Sequence, residues 1–378
     1  MRSRFLGGLL TLFSLTSLAH AGGDVLYTVS PFDNSLRELD PATGKTLATR
    51  TLTLTSGTVI GANGLARHPS TGELWVVLQV SGAGRQLGKV NPTTGAVTAV
   101  GALSDKIAGI AFDIAGTLYG VTGDGANTPE TLYTLSQTNG AMTLFMALGN
   151  GNDGETLAMI PGSLSLLHAS GIGTQNSTEI LEIIDLTGKK VTSVTLSGDD
   201  YEEALAMTQV AGGQYLLSDV NDDLYLVSTA GVVTYVGPLD HSVKGMAFVP
   251  ATTTAFSRIY GAGCPGSGNA IPTLFGSCPA AGTTATLSLL NGLGGAPCYL
   301  ALGLGNASAP IGPGCSLHIL PTTTVLLAFT LGGTGPRAGT LSVPLAIPTS
   351  TKLDVYWQVG VVDNGNLALS NAVQMHIQ

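Results

Sequence analysis

The phrase Gly109-Ile-Ala-Phe112, a turn through Gly116, and Leu118-Tyr-Gly-Val121 recurs in variant form along this chain. Gly64-Leu-Ala-Arg67 leads to Leu74-Trp-Val-Val77, and Thr156-Leu-Ala-Met159 leads to Leu164-Ser-Leu-Leu167. Ala204-Leu-Ala-Met207 leads to Tyr215-Leu-Leu217, and Gly245-Met-Ala-Phe248 closes the series. The starts at 64, 109, 156, 204 and 245 are 45, 47, 48 and 41 residues apart. A period near that length is the span of one four-stranded antiparallel unit that cannot bury its apolar faces alone. Two apolar runs around a Gly turn read as a hairpin. A second hairpin follows in each repeat, as in Leu87–Gly95 before Ala96–Val100 and Leu132–Gly140 before Ala141–Phe145. Its Thr or Asn before Gly suits a turn that needs positive φ.

The ends of this region complement each other. The chain enters at Val25-Leu-Tyr-Thr28 without a first strand and leaves at Gly245–Phe248 with only a first strand. Joined, they complete a fifth unit and abolish the edges an open array would expose. The expected fold is therefore all-β: a five-bladed β-propeller over 22–250, its closing blade made from both ends of the domain. A four- or six-bladed ring is the alternative count. A Thr-rich linker over 251–260 and a disulfide-bonded β-sandwich over 261–378 follow, the latter from seven short strand-like runs between Gly, Pro and Asn turns.

Arg2 and Arg4, the apolar run Phe5–Leu18 and Ala19-His-Ala21 read as a signal peptide over 1–21. The expected location is secreted, cell-surface or periplasmic, with no membrane span after cleavage. In that setting Cys264, Cys278, Cys298 and Cys315 read as two disulfides; short loops favour Cys264–Cys278 and Cys298–Cys315 among three pairings. A net charge of −9 argues against nucleic acid or an anionic membrane as partner.

The Asn91–Gly95 and Asp40–Gly44 turns and the Leu118-Tyr-Gly-Val121 hairpin resemble secreted bacterial propellers of the YVTN and quinoprotein-dehydrogenase-like group. That resemblance covers about 24–250 and implies the architecture; the group holds both binding proteins and enzymes. The segments Tyr260–Gly266, Cys298–Gly303, Gly314–Leu317, Trp357-Gln358 and Leu369–Ala372 resemble a C-terminal module of planctomycete-type secreted proteins, for which attachment or sorting at the cell surface is the expectation.

Propeller geometry places the loops before each first strand and after each second strand on one face, and these loops hold much of the chain's acid. Asn63, Ala108, Glu155, Glu203 and Lys244 precede the five first strands and are expected at the mouth of the central channel. Two carboxylates and an ammonium there could plug the channel as ion pairs, bind a polar ligand or cation, or do acid–base work. Asn63, Glu155, Glu203 and Lys244, with His241 on the same face, are the candidate ligand-binding residues. Asp219, Asn221 and Asp223 alternate as calcium ligands do, but Leu224 stands where the loop needs Gly, so Ca²⁺ is a weak candidate and no other cofactor is expected. His168, Trp75 and Trp357 read as packed strand residues. No Gly-x-Ser-x-Gly, His-Glu-x-x-His or Cys-x-x-Cys-His occurs, so no residue is assigned a catalytic role. The resulting expectation is a monomeric, exported, non-catalytic binding or scaffold protein for an extracellular glycan, protein or other ligand. The alternative is a secreted hydrolase or lyase acting on a glycan or lactone, with Glu155 and Glu203 as acid and base.

Overall fold

A computed structural model describes residues 24–149, 154–171, 179–211, 213–250, 255–312, 314–320, 325–350 and 352–378. The targeting segment expected over 1–21 lies outside them. The described residues are all-β apart from one 3₁₀ turn at Ser267–Asn269. No helix among them is long and apolar enough to cross a membrane.

The described residues of 24–250 form five sheets, antiparallel but for two short outer strands. In the first, Gly245–Pro250 pairs with Asp24–Val29, which pairs with Ser35–Leu39 and then Thr46–Thr51. The register Asp24↔Pro250 to Val29↔Gly245 joins the two ends of the region along the whole strand. The second sheet runs Val59–Arg67, Leu74–Val80, Gly84–Val90, Ala96–Ala102, and the third Ile107–Phe112, Leu118–Thr122, Thr131–Leu135, Met142–Ala147. The fourth runs Gly154–Met159, Ser165–Ser170, Ile180–Asp185, Lys190–Ser193, and the fifth Ala204–Ala211, Gln214–Asp219, Asp223–Ser228, Val232–Pro238. Thr53–Leu54 and Ser197–Gly198 add short parallel strands outside the second and fifth.

The first strand of each sheet packs on that of the next, from Val59–Arg67 round to Gly245–Pro250 and back. These innermost strands are buried on both faces and therefore carry small or aliphatic residues instead of alternating polar ones; Ile107–Phe112 is buried throughout. Glycine permits the close approach at the axis. A Cβ on Gly109 would lie 2.7 Å from the Glu155 carbonyl oxygen, and one on Gly245 would lie 2.9 Å from the Gly64 backbone. Between sheets, the apolar faces interlock in separate clusters, such as Leu36, Val76 and Val249 or Trp75, Phe112 and Leu118.

Beyond Ala255 the chain builds two further sheets and a hairpin. One sheet runs Phe256–Tyr260, Asn366–Ile377, Leu353–Asp363, Pro297–Gly303, Val325–Thr330; the other runs Thr273–Gly276, Thr284–Gly294, Gly335–Ala346. Leu274, Leu287, Leu300, Trp357, Val359 and Val373 meet in one core between them. Phe256–Tyr260, within the stretch expected as linker, is a paired edge strand: it bonds to Asn366–Ile377 along its length, Phe256 stacks on His376 of that strand, Ile259 packs on the core and Tyr260 meets Tyr356. Phe275 and Leu290 continue into a cluster with Leu26, Leu216 and Met246, and Arg337 Nη1 donates to the Val233 carbonyl at 2.7 Å, so the two parts share a seam.

Cysteine pairing departs from the short-loop expectation. Cys264 bonds to Cys315 across 51 residues, which excludes both Cys264–Cys278 and Cys298–Cys315. The hairpin Asn306–Gly312/Cys315–Ile319 folds back on Leu353–Asp363 and Asn366–Ile377, while Cys264 bridges Leu369 on that second strand. Sheet packing, not loop length, decides which thiols meet. Cys298 is a buried thiol of the core between the two sheets beyond Ala255, its pKa pushed up to about 11 by burial.

Val325–Thr330 is an edge strand with Val325, Leu326 and Leu327 54%, 61% and 41% exposed. Apolar unpaired edges template association between chains. Leu326→Lys should therefore reduce concentration-dependent light scattering on heating, with a change in unfolding free energy within about 0.5 kcal/mol. Undiminished scattering would clear this strand of the role.

Candidate functional site

The channel is pinched along its middle, where Gly64, Gly109 and Gly245 approach their neighbours, and opens at two ends. One end, of about 270 Å³, lies among the C-terminal ends of the innermost strands and is capped in part by Ile259. The other is a cavity of about 540 Å³ at their N-terminal ends. Asn63, Ala108, Glu155, Glu203 and Lys244 all line it, so the five ring positions converge on one space.

Local irregularity does the aiming. The pairing register slips beside this ring in four sheets, between Asn63 and Leu65, opposite Val121–Thr122, between Gly154 and Thr156, and between Ala204 and Ala206. A bulge leaves one residue out of the ladder and turns its side chain. In the fourth sheet that residue is Glu155.

Glu155 is fully buried, and Lys244 Nζ forms a close ion pair with its Oε2. Its Oε1 accepts a long bond from the Asp124 amide at 3.4 Å. Asn63, 2% exposed, accepts from Gln79 Nε2 at 2.7 Å and Arg85 Nη1 at 2.8 Å. Burial raises the pKa of Glu203, and the neighbouring Glu155 and Asp124 charges raise it further against the pull of Lys244. The two ring carboxylates thus have different environments: one is ion-paired and sealed, the other faces the cavity and holds a proton more readily than an ordinary glutamate.

Carboxylate oxygens of Asp124, Glu155 and Glu203 lie within 4.8 Å of one another, a spacing that suits a cation. The ammonium of Lys244 already neutralises Glu155, and its positive charge opposes a second cation there. Calcium would also need six or more oxygens.

The other expected residues lie elsewhere. His241 does not line the cavity: its Nε2 is 3.1 Å from Thr28 Oγ1 and its Nδ1 is 2.6 Å from Asp240 Oδ1. Burial lowers the His241 pKa. That of Asp240 is about 2, because bonds from Thr46 and His241 outweigh a burial effect that alone would raise it. Asp219, Asn221 and Asp223 form a turn, not a ligand set. Asp219 Oδ1 accepts the Asn221 and Asp223 amides, and its Oδ2 accepts the Glu202 amide and the Tyr225 hydroxyl. A buried carboxylate saturated by protein donors has no lone pair left to offer a metal. Trp75 and Trp357 are buried strand residues, as their sequence context suggests.

Three cavity residues carried no sequence signal. Gln79 and Arg85 face each other in register across the Ser81–Gly84 hairpin tip, and Phe32 stands 80% exposed at the rim. The tip lacks the repeat's period, so nothing in the spacing points to these positions.

No protein-family model matches this chain, and no curated protein matches it in sequence. Among solved structures it is similar to propeller proteins at low identity. A chain of the nidogen/laminin complex is 10% identical, with a TM-score of 0.42, over 71% of this chain and 88% of that one. A putative TolB from Agrobacterium tumefaciens is 12% identical, TM-score 0.38, over 60% and 83%. A gluconolactonase from Xanthomonas campestris is 10% identical, TM-score 0.39, over 61% and 85%.

Proposed function

We propose that this chain is an exported, non-catalytic binding protein that takes a polar extracellular ligand at the mouth of a five-bladed propeller. The pairing of Asp24–Val29 with Gly245–Pro250 supports the closed five-sheet reading. Attachment or sorting is the role proposed for the C-terminal sandwich, which packs on the propeller away from the mouth through contacts such as Ile259 at the opposite channel end.

The observation that carries the binding reading is the cavity of about 540 Å³ into which Asn63, Glu203 and the Glu155–Lys244 pair converge. Concave sites of this size with a few convergent polar groups are the usual form of ligand pockets. Calorimetric titration against a panel of glycans, peptides and divalent cations tests it. A ligand should emerge whose affinity falls about tenfold or more in Glu203→Gln, the loss expected when a charged hydrogen-bond partner is removed. A silent panel, or binding indifferent to Glu203→Gln, sinks the reading.

The unlike environments of Glu155 and Glu203 favour one second reading, hydrolysis or elimination on a glycan or lactone with Glu203 as the acid. Turnover abolished in a folded Glu203→Gln protein would support it over simple binding.

A further inference from the structure

We propose that the ligand is a carboxylate-bearing oligosaccharide, lying across the mouth with an acidic group on Arg85 and Lys106 and a sugar ring against Phe32. This inference rests on the binding reading above and names its ligand class.

The first support is shape. A second cavity of about 540 Å³ adjoins the mouth and shares Gln79, Arg85, Lys106 and Asp124 with it. Through these shared residues the two spaces adjoin and lead outward between the second and third sheets, and their volumes leave room for more than one sugar ring.

The second support is charge. Lys244 is matched by Glu155, but among the described residues no carboxylate oxygen lies within 4.0 Å of the charged side-chain nitrogens of Arg85 or Lys106. The Arg85 fork spends Nη1 on Asn63, a neutral amide. A half-buried guanidinium without a counter-ion retains a desolvation cost that a ligand carboxylate would offset, and its planar donors suit that group in a bidentate contact. Burial lowers the pKa of Arg85 despite the field of Glu155, which agrees with an under-compensated charge.

The third support is the aromatic rim. Phe32 is 80% exposed, and the preceding Pro31 carbonyl is held by Gln79 Nε2 at 3.3 Å. The same amide reaches Asn63, and Gln79 pairs with Arg85. The aromatic face and the cation are therefore fixed to one scaffold. An exposed ring beside polar groups suits the apolar face of a pyranose, while Glu203 and Asp124 offer acceptors for its hydroxyls.

Titrations with trigalacturonate, galactotriose and triglutamate test the inference on the full chain. Trigalacturonate should bind more tightly than galactotriose, and the difference should shrink as salt is raised. Arg85→Gln should weaken trigalacturonate about tenfold or more. Lys106→Ala should weaken it roughly threefold, as befits an exposed contact. Phe32→Ala should weaken both sugars. If Arg85→Gln lowers the melting temperature, Arg85→Lys and Lys106→Ala carry the test, since Lys keeps the charge but loses the fork. Equal affinity for the two sugars, or no effect of either cation, overturns the acidic assignment and leaves a ligand-binding mouth standing. Preference for triglutamate overturns the carbohydrate assignment. Binding of none of the three overturns this inference alone; the broader reading is decided separately, by the wider panel and Glu203→Gln.

Discussion

Replacing His168 by Leu should lower the unfolding free energy by about 3–5 kcal/mol, the range for stripping one partner from a buried charged group. His168 and Glu182 are fully buried and Glu130 is 2% exposed. His168 Nδ1 lies 3.4 Å from Glu182 Oε2, and its Nε2 lies 3.9 Å from Glu130 Oε2. One imidazole thus stands between two carboxylates contributed by neighbouring sheets. Burial alone would push its pKa down, but the Glu182 bond and the fields of Glu130 and Glu182 outweigh it, so the pKa stands above the ordinary histidine value. Burial raises the pKa of Glu130, against the pull of His168 and the Ser170 hydroxyl. Leu fills the space but leaves the carboxylates facing each other in a dry interior. The melting temperature should fall on the order of 10 °C. Adding Glu130→Gln should recover part of the loss, because a buried carboxylate that His168 partners goes with it.

The same trio sets a pH dependence with a definite sign. A folded-state pKa raised above the unfolded value means the native protein holds the proton more tightly. The stability this contributes is fully present below the unfolded histidine value of about 6.5 and is lost as pH rises through the folded one. Glu130 acts in the same direction from the carboxylate range upward. Denaturation followed between about pH 6 and 9 should show wild-type stability falling, with a flatter profile for the His168→Leu protein. Identical profiles would remove the trio from the account.

How much of this was legible beforehand depends on the periodicity each feature carries. The ring of Asn63, Ala108, Glu155, Glu203 and Lys244 follows from the repeat, because each precedes the same apolar phrase and a period of one sheet brings them to one axis. The trio does not. Glu130 follows an irregular loop with left-handed φ, and Glu182 sits mid-strand where an alternating pattern predicts nothing special. Glu182 faces His168 in register on the next strand of the same sheet, while only the packing of the adjacent sheet brings Glu130 to them; the sequence context of His168 suggests a satisfied structural histidine without naming these partners. Arg85 escaped for a related reason, since a Gly-rich hairpin tip carries no phase. The disulfide shows the limit of loop-length reasoning: Cys264 meets Cys315 because a hairpin folds back over two long strands, and no spacing along the chain encodes that fold-back.

Lys244→Met should cost a similar amount, about 3–5 kcal/mol, for a reason that ties stability to the site. Glu155 is fully buried on a bulge, and the Lys244 ammonium is its one ion-pair partner among the described residues. Met keeps the aliphatic packing and removes the charge, so the cost isolates the ion pair from the side-chain volume. Glu155→Gln alone should cost less, since Lys244 retains 15% exposure and access to water. The double variant should be more stable than Lys244→Met, and the cycle gives their coupling directly. A Lys244→Met protein as stable as wild type would show that Glu155 is neutral or solvated in the folded protein, and the sealed ion pair would have to be abandoned. Binding separates the two roles of the pair. If it only organises the mouth, the stable double variant keeps most of the ligand affinity; if Lys244 also touches the ligand, affinity stays low even though the fold is restored. Arg85 bonds to Asn63 and not to the Glu155–Lys244 pair, so its effect on an acidic ligand should add to that of Lys244 in the first case and couple with it in the second.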